Sequence, residues 1–140
     1  MNISRGSISL IKKLPLLMGL LIFYIYGVLW TLKPRKIVDM NDLLSQFYYG
    51  FLRLKKEDVE IVKLTNKELI TISKNPCPIL KLTLLLGMDT RYTCRFISET
   101  VCRYVLKRIN PELTFERNYS YIRPYKDGCM ERIYLKDDLA

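Results

Sequence analysis

Four cysteines, Cys77, Cys94, Cys102 and Cys129, are the residues of this chain best suited to chemistry, and the complete absence of histidine narrows what they could do. Without imidazole there is no Ser-His or Cys-His nucleophilic pair, no zinc-protease helix and no histidine proton shuttle. Acid–base or metal chemistry falls to Cys, Asp, Glu, Tyr, Lys or Arg. The cysteines include no C-x-x-C pair, so spacing alone makes neither a zinc knuckle nor a ferredoxin-type site. Their expected placement says more. Cys77 falls at the mouth of a helix N-terminus, where backbone N–H groups favour a thiolate. Cys94 falls in the first turns of the next helix, and Cys129 opens the last strand, just after Gly128. Residues at element ends often converge on one edge of a sheet-plus-helix domain. Cys77, Cys94 and Cys129 are therefore the candidate metal ligands, with an iron–sulfur cluster or zinc as the cofactor they would take. Cys77 is also the candidate catalytic nucleophile. The competing readings are a disulfide, which needs an oxidising compartment, and inert packing, since free Cys usually behaves as a small buried hydrophobe. Cys102, in mid-helix beside an apolar stripe, reads as core.

The remaining polar candidates are Glu99, Glu116, Arg117 and Arg123, each expected as a solvated or paired surface charge. Tyr119, Tyr121 and Tyr125 could line a pocket, but at strand spacing they more often fill a half-buried sheet face.

The elements that must position these residues follow from periodicity. Asp39 can cap a helix, with Asp42 three residues on, and Met40, Leu43, Leu44, Phe47, Phe51 and Leu54 then share one face. This amphipathic helix is expected to face a core, with a membrane-surface helix as the alternative, and to end at Lys55-Lys56. Residues 59–65 and 68–73 are rich in β-branched and apolar types and flank Asn66-Lys67, which predicts a hairpin, with Asn66 able to take a positive φ. Asn75-Pro76-Cys77-Pro78 is a rigid loop opening a short helix over 79–86 that stops at Gly87. A longer helix starts at Asp89 or Thr90 and ends before Asn110-Pro111. Along it Cys94, Ile97, Val101, Val105 and Ile109 share one face. Leu113, Phe115, Tyr119 and Tyr121 alternate as a strand, Lys126-Asp127-Gly128 turns, and residues 129–135 return. The order α, ββ, αα, ββ predicts an α+β fold with a four-stranded antiparallel sheet and helices on one face.

Ahead of this domain, at residues 37–140, runs an uncharged segment, residues 14–32, long enough as a helix to cross the roughly 30 Å hydrocarbon core of a bilayer. Residues 1–38 hold six basic groups (Arg5, Lys12, Lys13, Lys33, Arg35, Lys36) and no acidic one, so much of the net charge of +9 flanks that segment. Such flanks suit anionic lipid rather than nucleic acid, for which no recognition motif is present. Residues 1–36 are thus expected as a single-pass membrane anchor. The alternatives are a signal peptide, although no small-residue cleavage site follows, and a helix packed in a core or against a partner subunit. Three basic residues flank each end, so the positive-inside rule assigns no orientation. Gly19 and Gly27 could let another helix approach closely.

The sequence order Asn75-Pro76-Cys77-Pro78, Leu86-Gly87, Cys94, Asn110-Pro111-Glu112-Leu113, Phe115-Glu116-Arg117 and Gly128-Cys129 resembles the L-2-amino-thiazoline-4-carboxylic acid hydrolase-like family over roughly residues 59–136. The resemblance implies hydrolytic opening of a thiazoline ring on the way to cysteine, with Cys77, Cys94 and Cys129 as the functional cysteines. Cys102 has no counterpart in the pattern. The chain departs from it in its apolar N-terminal segment and in Arg123-Pro124-Tyr125 ahead of the final cysteine, so fold is inherited more readily than reaction. The expected function is a membrane-anchored domain whose cysteine cluster binds a metal, an iron–sulfur cluster or a small thiol-reactive ligand, as a subunit of a larger membrane assembly. The alternatives are a hydrolase with a cysteine nucleophile and a purely structural membrane subunit.

Overall fold

The computed structural model describes residues 2–33, 37 and 39–135, with side chains described from residue 13 onward. Arg35 and Lys36, and the side chains of Arg5 and Lys12, lie outside the described residues.

Helix α1, Asn2–Thr31, begins well before the uncharged segment. Helix α2 covers residues 40–51, an α turn Met40–Leu43 continuing as a π-helical stretch Leu44–Phe51. Strands β1 (Val59–Leu64) and β2 (Glu68–Ser73) follow. After them come α3 (Pro78–Leu85) and a composite helix α4 over residues 90–109 with a π turn at Cys94–Ser98. Strands β3 (Leu113–Arg117) and β4 (Cys129–Leu135) close the domain. The four strands form one antiparallel sheet in the order β1-β2-β4-β3. The fold is therefore the α+β arrangement expected.

The caps explain where the helices begin and stop. Asp39 accepts from the Asp42 N–H at 2.9 Å, and Asp89 from the Arg91 N–H at 2.8 Å, which satisfies donors that no helical carbonyl can reach. Gly87, at φ +65°, ends α3 in a Schellman motif, with the Met88 N–H on the Thr83 carbonyl and the Gly87 N–H on that of Leu84.

Three local expectations are corrected. The hairpin turn needs no positive φ at Asn66, because the Thr65 hydroxyl accepts from both the Lys67 and Glu68 N–H groups and folds the turn itself. Helix α2 stops at Phe51 rather than at Lys55-Lys56, since Arg53 takes the left-handed conformation at φ 56° and turns the chain out. Strand β3 ends at Arg117, four residues before Tyr121. There the Asn118 side chain accepts from the Ser120 N–H, and the Tyr121 N–H reaches the Asn118 carbonyl. That local turn outcompetes the ladder.

Gly128, before β4, sits where a Cβ would lie 2.4 Å from Ile72 Cγ2 and 3.2 Å from the Ser73 carbonyl oxygen. A methyl there must push apart two paired strands, so Gly128→Ala is expected to lower stability by about 1–3 kcal/mol in a urea titration. A loss below a few tenths would show that the β2–β4 contact yields freely.

The core joins Met40, Leu43, Phe47, Tyr48 and Phe51 of α2 to Val101, Cys102, Val105 and Leu106 of α4 and to Leu69, Phe115 and Ile133 on the inner face of the sheet. Its outer face is mixed: Arg132 pairs with Glu68 and with Glu116, beside Ile70, Ile72 and Met130. Helix α1 is long and apolar enough to cross a membrane, yet here it lies along the domain. Gly19 approaches Ile97 and Leu82, Gly27 lies 3.0 Å from Val105 by its would-be Cβ, and Tyr24 packs on Tyr104 at 4.9 Å. The helix that the two glycines let in is this chain's own α4. Tyr26 donates to the Phe51 carbonyl at 2.6 Å, so a hydroxyl in mid-span finds its acceptor inside the fold. Leu14, Leu17, Met18, Leu21, Ile22, Ile25, Leu29 and Leu32 form the opposite face, between 50% and 67% exposed.

Candidate functional site

The inner face of the sheet changes character along its length. At one end it presents Leu69, Phe115 and Ile133; at the other Thr71, Ser73, Arg117, Cys129 and Glu131. The polar end faces a cavity of about 550 Å³, within the range that suits a small organic ligand. Its walls come from Gly19, Ile22, Phe23 and Tyr26 of α1, from Pro78, Ile79 and Leu82 of α3, and from Ile97 and Ser98 of α4.

Cys77, Cys94 and Cys129 all line this cavity, so the three element-end cysteines do converge. Cys77 is the N-cap residue of α3, partly exposed, and makes no side-chain capping bond. Cys94 starts the π turn and is buried; burial pushes its thiol up to about 11, with Arg117 pulling the other way. Cys129 accepts from the Arg123 backbone N–H at 3.5 Å and its Nε at 3.3 Å. Cys102 lies apart in the main core, pushed up to about 12 by burial. All four thiols are free. Among the described residues no three His, Cys, Asp or Glu side chains are grouped to hold a metal ion. Sharing a cavity is thus a looser arrangement than the zinc or iron–sulfur ligand set expected of Cys77, Cys94 and Cys129.

Arg123 acts as a clamp. Its guanidinium donates to the carbonyl of Asn75 and to Asn75 Oδ1, and its own carbonyl accepts from Thr90 Oγ1 at 2.6 Å. It thereby ties the loop before Cys77 to the start of α4 and to the thiol of Cys129. Arg117 is deeper, 5% exposed, and pairs with Glu131 at 3.1 Å across β3 and β4. Glu131 also accepts from the Tyr48 hydroxyl at 3.2 Å, which accepts from Thr71 at 3.0 Å. Burial weighs against charge on Arg117, but the Glu131 carboxylate and the nearby thiols outweigh it, and the guanidinium stays firmly protonated. Burial, and then the same carboxylate, raise Tyr48 well above the ordinary tyrosine range, so its proton is held.

Two polar groups of the lining lack partners. Arg117 Nε and Ser73 Oγ are both buried without a hydrogen bond. Such groups carry a desolvation cost that a ligand can relieve. Among the described residues, the lining holds three guanidiniums, of Arg53, Arg117 and Arg123, and one carboxylate, of Glu131. Arg53 stands at the rim in its left-handed conformation, the kind of backbone strain that clusters at binding sites.

Sequence reasoning placed Arg117 and Arg123 on the surface and passed over Glu131. The available signal was strand parity. Arg117 continues the inward series Leu113, Phe115, and Glu131 sits between inward Cys129 and Ile133, opposite charges on neighbouring strands. Glu99, expected on a polar face, is instead buried, held by Arg103 at 2.8 Å and by the Tyr119 hydroxyl at 2.5 Å. Tyr121 and Tyr125 bond Asp127 and Asp89 outside the cavity. Compared with family models, with curated proteins and with solved structures, the chain matches none.

Proposed function

We propose that this chain is a membrane-associated binding domain whose thiol-lined cavity takes a small organic anion, with Cys77 as the thiol that ligand meets. The observation that carries the reading is the pair of unpartnered buried groups, Arg117 Nε and Ser73 Oγ, in a lining with three guanidiniums and one carboxylate. A cationic surplus in a partly desolvated site favours an anion far more than the same charges would in water. The membrane part of the reading rests on the outer face of α1, whose apolar stripe has exposed Lys13 and Lys33 at its ends, matching acyl chains flanked by anionic head groups.

A metal-binding role for Cys77, Cys94 and Cys129 lacks a donor group of three among the described residues. The hydrolase reading that the family resemblance carries needs a general base beside a thiol. The one carboxylate in the lining, Glu131, is committed to Arg117 and Tyr48. Ligand binding therefore has the better support.

The test uses two alkylating reagents of equal reach, anionic iodoacetate and neutral iodoacetamide. In the folded chain, the ratio of their rates at Cys77 is expected to exceed the ratio in urea by about ten-fold, a difference of roughly 1.4 kcal/mol. At about pH 8, Cys94 and Cys102 are expected to react at least about a hundred-fold more slowly than in urea, because thiolate is the reacting form and burial holds both thiols protonated. A Cys77 ratio unchanged by folding would sink the anion reading.

A further inference from the structure

The two sides of the cavity differ in kind, and the difference identifies a class of ligand. We infer that the occupant is a single-chain acidic amphiphile, a long-chain carboxylate drawn sideways from a membrane, with its acid group on Arg117 and Ser73 and its hydrocarbon chain between α1 and α3. This inference rests on the anion-binding reading above and adds the chain and the route.

The chain is argued from the walls. Opposite the polar sheet end, the lining is Gly19, Ile22 and Phe23 of α1 facing Ile79 and Leu82 of α3, with Ile97 of α4 between them. At Gly19 the three helices come together: a Cβ there would stand in ordinary contact, 3.6 Å from Ile97 and 3.7 Å from Leu82. A small hydrophilic anion would leave this apolar half filled with poorly bonded water, whereas a hydrocarbon chain removes that surface from water. The route is argued from continuity. Ile22 belongs to the cavity lining and, at 66% exposure, to the outer stripe of α1, beside Met18, Leu21 and Ile25. When that stripe rests in a bilayer, the cavity mouth opens at the level of the acyl chains. Arg53, at the rim and exposed, has the reach to extend from that level toward the head groups.

The experiment uses the full chain on phosphatidylcholine vesicles and follows protection of Cys77 from iodoacetamide by hexadecanoate, hexadecanol and butanoate. Hexadecanoate is expected to protect saturably, at least about ten-fold more tightly than either comparison compound. The paired variant Arg117→Met with Glu131→Leu replaces the buried ion pair with apolar groups of similar volume, a change folds tolerate. It is expected to bind hexadecanoate no better than hexadecanol. Protection by butanoate equal to that by hexadecanoate would overturn the amphiphile inference while leaving the anion reading intact. Equal protection by hexadecanol would overturn both, as would protection by none of the three. Hexadecanoate supplied in vesicles is expected to protect several-fold faster than the same acid offered as a dilute monomer to vesicle-free protein; equal rates would overturn lateral entry.

Discussion

Glu131→Ala is expected to destabilise the domain by about 3–5 kcal/mol in urea unfolding, the cost typical of breaking a buried ion pair from one side. Among the described residues the Glu131 carboxylate is the charge paired with Arg117, and both side chains are 5% exposed. Removing it leaves a guanidinium in the sheet interior with Nε already unpartnered, and strips the Tyr48 hydroxyl of its acceptor. The sharper measurement is a cycle with Arg117→Met and the Arg117→Met, Glu131→Leu pair. The pair is expected to recover most of the loss, because what costs energy is the orphaned charge rather than the absence of a bond. If the single variant lost less than about 1 kcal/mol, water would have to reach Arg117 freely, and the desolvated-floor account would fall with it. Stability-neutral replacement of the pair would show that it contributes little to folding, as buried pairs often do.

How much of this could be read beforehand depends on the range of the interaction involved. Local rules located the helices, because Asp39, Asp89 and Gly87 act within a turn of their own positions. β-branched and apolar composition located β1 and β2, and period-two alternation located β4. It ran too far in β3, since Tyr119 and Tyr121 keep the spacing while Asn118 bends the backbone away. Asn66 is a residue type able to take a positive φ, but the neighbouring Thr65 supplies the turn without it. The convergence of Cys77, Cys94 and Cys129 was legible because element ends meet where strands and helices meet. Their surroundings were not. The partners that give the cavity its charge, Arg117 with Glu131 and Arg123 with Asn75, lie 14 and 48 residues apart in sequence. No window of local periodicity joins them. Helix α1 shows the same limit: composition alone cannot separate an apolar helix facing lipid all round from one with half its surface on a domain.

That distinction makes Phe51 the second place where a single change should matter most. Its ring, 1% exposed, lies 5.7 Å from Phe23, 4.9 Å from Tyr26, 5.1 Å from Trp30 and 5.7 Å from Phe47. Three of those four partners belong to α1. Phe51→Ala is expected to cost about 3–5 kcal/mol, combining lost burial with a cavity that stacked rings cannot collapse to fill. Because the contacts are mostly with α1, the loss should fall on the docking of that helix. Leu16 and Trp30 both touch the domain, so the seated length is about 20 Å of helix at 1.5 Å per residue. A helix seated over that length cannot also cross a bilayer of roughly 30 Å while Glu68, Glu116 and Arg132 of the outer sheet face stay in water. Were α1 to span a membrane, it would first have to leave the aromatic cluster around Phe51. Fluorescence from Trp30, the single tryptophan, is expected to shift on Phe51→Ala in detergent-free vesicles, and a tag at the N-terminus to gain protection from added protease on one side. The whole loss appearing with Trp30 emission and tag protection unchanged would place the cost in the α2 core alone. Helix α1 would then be held by Gly27 against Val101 and Val105 rather than by the aromatic cluster.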